Sequence, residues 1–159
     1  MGKRCFLVSG GDFSPVPRPL PDDFVIACDK GYTYCEKLGR SPDLLISDFD
    51  SYRGPVNTAV PLAEYPSEKD DTDTMLAIRY AVEHGFQEVL LSCALGGRLD
   101  HLYANLQSLV FARRHGLAAP LRSADIAATK DVPAVPAAAT VGMEPATDCM
   151  TFCRRDAEN

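Results

Sequence analysis

Aspartates stand in this chain where apolar, strand-like runs give out. Phe24-Val25-Ile26-Ala27-Cys28 stops at Asp29, Leu44-Leu45-Ile46-Ser47 stops at Asp48-Phe49-Asp50, and Val89 to Cys93 leads through Gly96-Gly97-Arg98 to Asp100. In an open parallel sheet the carboxyl ends of the strands form one edge, and ligands bind in the crevice outside it. Carboxylates gathered there repel one another unless a cation or protons offset the charge. A Mg²⁺ site serving a phosphate-bearing substrate is the economical expectation.

Each acidic cluster also has a plainer use. Side chains two apart in an extended segment share a face, so Asp48 and Asp50 could grip one hard cation or simply cap a solvated turn. Lys69-Asp70-Asp71-Thr72-Asp73 precedes a helical pattern. Acids there suit a helix N-terminus, and Lys69 could hold a phosphate as a point charge. Gly96-Gly97-Arg98-Leu99-Asp100-His101 is the most specific stretch. Its glycines permit positive φ and close backbone approach, Arg98 could clasp phosphate oxygens, and Asp100 could ligate metal or act as a base braced by His101. The competing expectation makes Asp100 an N-cap. Asp29-Lys30-Gly31 repeats the order of strand, acid, glycine and helix. His84 and His115 fall near helix C-termini and receive no function; Tyr32 and Tyr34 read as packing residues.

These residues need a frame. Strands are expected at 4–9, 24–28, 43–47 and 87–93, with a short one near 60–63. Helices are expected at 32–38 before Gly39, along Met75, Leu76, Ile78, Tyr80 and Val82 to Gly85, and from an N-cap at Asp100 through Leu102, Leu106, Leu109 and Val110 to Gly116. Alternating strands and helices imply an α/β fold: an open, mainly parallel, Rossmann-like sheet with helices on both faces. From about Ala118 the periodicity lapses into an Ala/Pro-rich stretch. Domains are therefore expected at 1–117 (nucleotide-binding, catalytic) and 118–159 (an irregular, poorly ordered tail).

A hydrophobic share of 46% and a charged share of 24% fit a soluble globular chain, and a net charge of −6 disfavours a nucleic-acid partner. No apolar stretch suffices to span a membrane, and the N-terminal residues lack a signal-peptide pattern, so a cytoplasmic setting is expected. Cys5, Cys28 and Cys93 lie in or beside apolar runs and read as buried thiols, while Cys149 and Cys153 have no matching second pair.

Taken together, Asp29-Lys30-Gly31, Asp48-Phe49-Asp50-Ser51, Lys69-Asp70-Asp71-Thr72-Asp73 and Gly96-Gly97-Arg98-Leu99-Asp100-His101, with Asn105 following, resemble the catalytic domain of thiamine pyrophosphokinases over roughly residues 4 to 117. The resemblance implies Mg²⁺-dependent transfer of a pyrophosphoryl group from ATP to thiamine, giving thiamine diphosphate and AMP. By position it implies Asp48, Asp50, Asp73 and Asp100 as metal-binding and catalytic carboxylates, with Asp100 the candidate base. Lys69 and Arg98 become phosphate contacts, and Asp29, Gly31 and His101 complete the ATP site. A homodimer is implied too, although the β-sandwich domain that helps form it has no counterpart in the sequence pattern, and a truncated or frame-shifted product is expected at the break near Leu117. Ser47 stands where the family usually has glycine. Two alternatives remain: a phosphatase of the haloacid dehalogenase type built on Asp48-Phe49-Asp50, and a nucleotide-binding remnant without turnover.

Overall fold

The computed structural model describes residues 2–14, 18–47, 54–64 and 71–122; the rest lie outside that description. All the described residues belong to the first of two compact units, Met1–Ala128 and Thr129–Asn159. Their elements are β1 (Arg4–Val8), β2 (Phe24–Cys28), α1 (Gly31–Leu38), β3 (Leu44–Ser47), β4 (Leu62–Glu64), α2 (Asp73–Glu83), β5 (Glu88–Ser92), α3 (Leu99–Arg114) and β6 (Leu121–Arg122). Every pairing is parallel, in the order β4-β3-β2-β1-β5-β6. The chain steps outward from β1 to β4, then returns to β5 on the other side of β1. That reversal is a topological switch point, and it opens a crevice at the carboxyl end of β1.

The strands read as continuous apolar runs because both their faces are covered. Phe6, Val8, Val25, Ala27, Leu45 and Leu90 pack with α1, through Tyr32, Tyr34, Cys35 and Leu38. The alternate residues Cys5, Leu7, Ile26, Cys28, Ile46 and Leu91 pack against α2 and α3. Each large side chain so buried contributes about 1.5–3 kcal/mol. Tyr32 and Tyr34 are buried as expected, and each finds a polar partner: Tyr32 Oη accepts from the Asn57 N–H and Tyr34 Oη donates to the Gly11 carbonyl, both at 2.9 Å.

The structure departs from the sequence pattern in four places. The fourth strand is Leu62–Glu64, later than expected, because pairing starts where the Pro61 carbonyl accepts from the Leu45 N–H. The buried face of α2 is Thr74, Leu76, Ala77, Ile78 and Ala81, with Met75 and Val82 only partly covered. With that face inward, Thr74 shares a buried hydrogen bond with Ser9, just beyond β1. In α3 the N-cap is Arg98, without a side-chain cap, and Asp100 lies in the first turn. Its buried residues are Asn105, Ser108 and Ala112, while Leu106 and Val110 are about half exposed. Small inward residues allow close approach, and the polar ones bond locally: Asn105 Nδ2 donates to the Ala94 carbonyl and Ser108 Oγ to that of Ala104. The sheet also continues past Leu117, since Ala118 bridges to Glu88 and β6 pairs with β5.

Candidate functional site

Four segments meet at the carboxyl edge of the sheet: the loop after β1, the turn after β2, the first turn of α2 and the β5–α3 loop. They bound a cleft of about 390 Å³, with Gly10, Asp29, Asp73, Gly97 and Arg98 in its wall.

Asp29 follows β2 directly and has φ 48°, in the left-handed region where a side chain is tolerated at a cost of about 1–2 kcal/mol. Its N–H donates to the Ile46 carbonyl at 2.9 Å, and its carboxylate accepts from Ser47 Oγ at 3.2 Å. Ser47 thus contacts a cleft carboxylate. Lys30 is exposed beside it, its ammonium 5.7 Å from the Tyr34 ring centre. Tyr34 foremost, with Asp12 and Asp29, raises the Lys30 pKa. Gly31 lies behind the cleft: a Cβ there would overlap the Val8 carbonyl oxygen, so glycine lets α1 start hard against β1.

α2 brings Asp73 into the wall from the start of its first turn. Thr72 caps that turn by accepting from the Met75 N–H at 3.3 Å, Ser9 and Thr74 share their hydroxyl bond at 3.0 Å, and Cys28 Sγ contacts the Asp73 carbonyl at 3.6 Å. Asp71 pairs with Arg79 at 2.8 Å, and the Arg79 guanidinium lies 4.7 Å from the centre of the Phe111 ring.

The β5–α3 loop contributes Gly96 and Gly97, both at positive φ, with Gly96 pressed against the Asp12 side chain. Arg98 forms a two-pronged ion pair with Asp100, Nε to Oδ1 at 3.1 Å and Nη2 to Oδ2 at 2.6 Å. This hydrogen bonding, chiefly from Arg98 and then from the His101 backbone N–H, lowers the Asp100 pKa below the ordinary carboxylate value. The brace on Asp100 is therefore the main chain of His101, at 3.0 Å, while His101 itself lines the cleft.

The structure thus gathers Asp29, Asp73, Arg98 and His101 around one cleft, with Asp100 attached through Arg98 and Gly31 set behind. Asp48, Asp50 and Lys69 lie outside the described residues. Sequence reasoning passed over Ser9 and Thr74, which also line the cleft, quoted Lys30 within Asp29-Lys30-Gly31 without a role of its own, and gave Gly10-Gly11 no role there. The glycine pair carried a signal, since it follows an apolar strand just as Gly96-Gly97 does. Ser9 and Thr74 carried none, because only the fold brings them together.

Among the described residues, no three His, Cys, Asp or Glu side chains could hold a metal ion as a group. Mg²⁺ typically takes one or two carboxylates and completes its shell with phosphate oxygens and water. Hard oxygen donors at Asp29 and Asp73, in a wall shared with Arg98 and Lys30, fit an ion that arrives with its phosphates.

Residues 21–119 match the family model for the thiamin pyrophosphokinase catalytic domain. The chain belongs to this family. It is 36% identical over 116 residues to thiamine pyrophosphokinase of Bacillus subtilis, a match covering 67% of this chain and 54% of that relative. The crystal structure of thiamine pyrophosphokinase from Bacillus subtilis superposes with a TM-score of 0.67 at 25% identity, over 77% of this chain and 61% of that one. A thiamin pyrophosphokinase family protein from Enterococcus faecalis superposes with a TM-score of 0.63 at 31% identity, over 76% and 62%. The chain thus spans about half the length of its curated relative. Membership in this family does not favour the haloacid dehalogenase alternative. Among the described residues no helix is long and apolar enough to cross a membrane.

Proposed function

We propose that this chain transfers a pyrophosphoryl group from ATP to the hydroxyl of thiamine, releasing AMP and thiamine diphosphate, with Mg²⁺ as cofactor and in a cytoplasmic setting. One observation carries the proposal: a single cleft at the switch point joins carboxylates, Arg98, Lys30 and paired glycines at positive φ. In-line displacement at phosphorus asks a protein mostly for positioning and charge neutralisation, and this set of groups suits both.

In this reading the thiamine oxygen attacks the β-phosphorus, the bond from that phosphorus to the bridging α-phosphate oxygen breaks, and AMP leaves with the electron pair. Asp29 and Asp73, joined by Asp48 and Asp50 by family resemblance, would hold Mg²⁺. The bound ion offsets charge on the phosphate oxygens. Lys69 and Arg98 contact phosphates, and His101 and the Gly31 turn shape the ATP side. Asp100 takes the hydroxyl proton. Phosphate oxygens compete with Asp100 for the Arg98 guanidinium, so nucleotide binding is coupled to the release of Asp100. Residues 1–117 form the catalytic unit of this proposal. A homodimer accords with the resemblance.

The test supplies ATP, thiamine and Mg²⁺ to the chain and measures products by chromatography. AMP and thiamine diphosphate are expected in equal amounts, with none after chelation of the metal. Release of inorganic phosphate through a phosphoenzyme on Asp48 would overturn the proposal in favour of a phosphatase. ATP binding without AMP formation would leave a nucleotide-binding remnant.

A further inference from the structure

Ser9, just beyond β1, and Thr74, in the first turn of α2, lie 65 positions apart in sequence and meet in the wall of the cleft. Their hydroxyl oxygens are 3.0 Å apart, and each residue is 4% exposed. Two hydroxyls carry two protons, and the bond between them uses one. Among the described residues neither hydroxyl makes a further hydrogen bond, so the second proton is not taken up by the protein. A buried donor left without a partner is costly, so the remaining proton calls for an acceptor within the cleft.

The surroundings define that acceptor. The pair sits at the N-terminus of an 11-residue helix, in a wall shared with Lys30 and Arg98. Helix N-termini and cationic side chains favour an anionic oxygen. The nearby Asp71 is balanced by its own ion pair with Arg79. We propose that the Ser9–Thr74 hydroxyl pair donates a hydrogen bond to a phosphate oxygen of the nucleotide and is a further binding element of the cleft. The naming of the ligand as a nucleotide rests on the function proposed above; the pairing and its spare proton do not.

Calorimetric titration of the unmutated chain, the Ser9→Ala/Thr74→Val double variant and Thr74→Ser separates these layers. The ligands are Mg²⁺–tripolyphosphate, MgATP and adenosine. The double variant is expected to bind both phosphate ligands about tenfold more weakly, as for one hydrogen bond to a charged group, with adenosine affinity unchanged. Thr74→Ser retains the hydroxyl and is expected to stay within about twofold of the unmutated chain. Unchanged phosphate affinity in a folded double variant overturns the inference, as does equal weakening toward adenosine, which marks a purely structural pair. If the double variant folds poorly, proton NMR of the unmutated chain decides. A hydroxyl signal of Ser9 or Thr74 should move downfield with Mg²⁺–tripolyphosphate and not with adenosine, and a stationary signal overturns the inference. If the unmutated chain binds no tripolyphosphate, the phosphate assignment of the whole cleft fails and takes this inference with it. Binding that the double variant matches removes the inference alone.

Discussion

Helices α2 and α3 each deliver an aspartate near the cleft, and they do so by opposite means. The first turn of α2 is fastened: Thr72 caps it, Thr74 bonds Ser9 in the interior, and Cys28 meets the Asp73 carbonyl. The first turn of α3 stands open. Arg98 occupies the N-cap without a capping side chain, Leu99 is 78% exposed, and among the described residues Asp100 is held by an exposed ion pair to Arg98 and by the His101 N–H. The contrast teaches that an acid can be set in advance by packing or kept exchangeable by a surface partner. Asp73 is of the first kind and suits a metal ligand, whose position must be fixed before the substrate arrives. Asp100 is of the second kind and, in the proposed reaction, suits a proton acceptor that would exchange partners as phosphate reaches Arg98.

The largest expected effect is on turnover. Asp73→Asn should lower the rate of AMP formation by about a thousandfold, and Asp100→Asn by about a hundredfold, in keeping with charge stabilisation against proton transfer. Steady-state rates at saturating ATP check this, and equal losses would erase the functional half of the contrast.

The next effect concerns pH and two buried thiols, Cys28 beneath the fastened turn of α2 and Cys35 in α1. Burial foremost raises the Cys28 thiol well above its ordinary value and pushes Cys35 up to about 12. Because these folded-state values lie above the unfolded ones, both thiols are neutral in either state at neutral pH, and nothing is lost there. Above about pH 9 the unfolded chain releases protons that the folded chain retains. Stability should then fall by about 1.4 kcal/mol per pH unit for each such thiol. Urea unfolding between pH 8 and 10.5 measures the slope, and a flat profile would contradict the burial of these groups.

A smaller difference separates the two caps. Thr72→Ala should cost about 1 kcal/mol in the same unfolding experiment, the usual worth of a side-chain N-cap. Arg98→Ala should leave the midpoint unchanged, since its partner Asp100 is exposed to solvent. The smallest effect is a titration. Carbon-detected NMR should place the Asp100 carboxyl below its ordinary 3.8, and Arg98→Ala should bring it back up, because Arg98 is the first cause of the depression. With the folded value depressed, whatever Asp100 adds to stability is present above the unfolded pKa and fades as pH falls through the folded one.

Much of the fold was legible because strands covered on both faces must be apolar throughout, and β1, β2, β3 and β5 all show this. Glycines marked helix ends well: Gly39 follows α1 at φ 72° as its position suggested. The helix faces were harder to read. In α3 hydrophobicity pointed to Leu106 and Val110, whereas Asn105, Ser108 and Ala112 face inward because close packing favours small side chains and a carbonyl needed a donor. In the site, aspartates and glycines at strand ends were legible because parallel topology forces those ends together. The Ser9–Thr74 contact was not, because hydroxyl residues are common and no spacing rule links positions 65 apart.

The proposed convergence of these segments on one metal–phosphate complex has a direct measurement. With ATP bound and Mn²⁺ replacing Mg²⁺, backbone amide signals of residues 29–30, 72–74 and 96–98 should broaden together through paramagnetic relaxation. Broadening confined to one of those segments, or centred on the opposite edge of the sheet near Arg4 and Glu88, would contradict a shared site at the carboxyl ends of the strands.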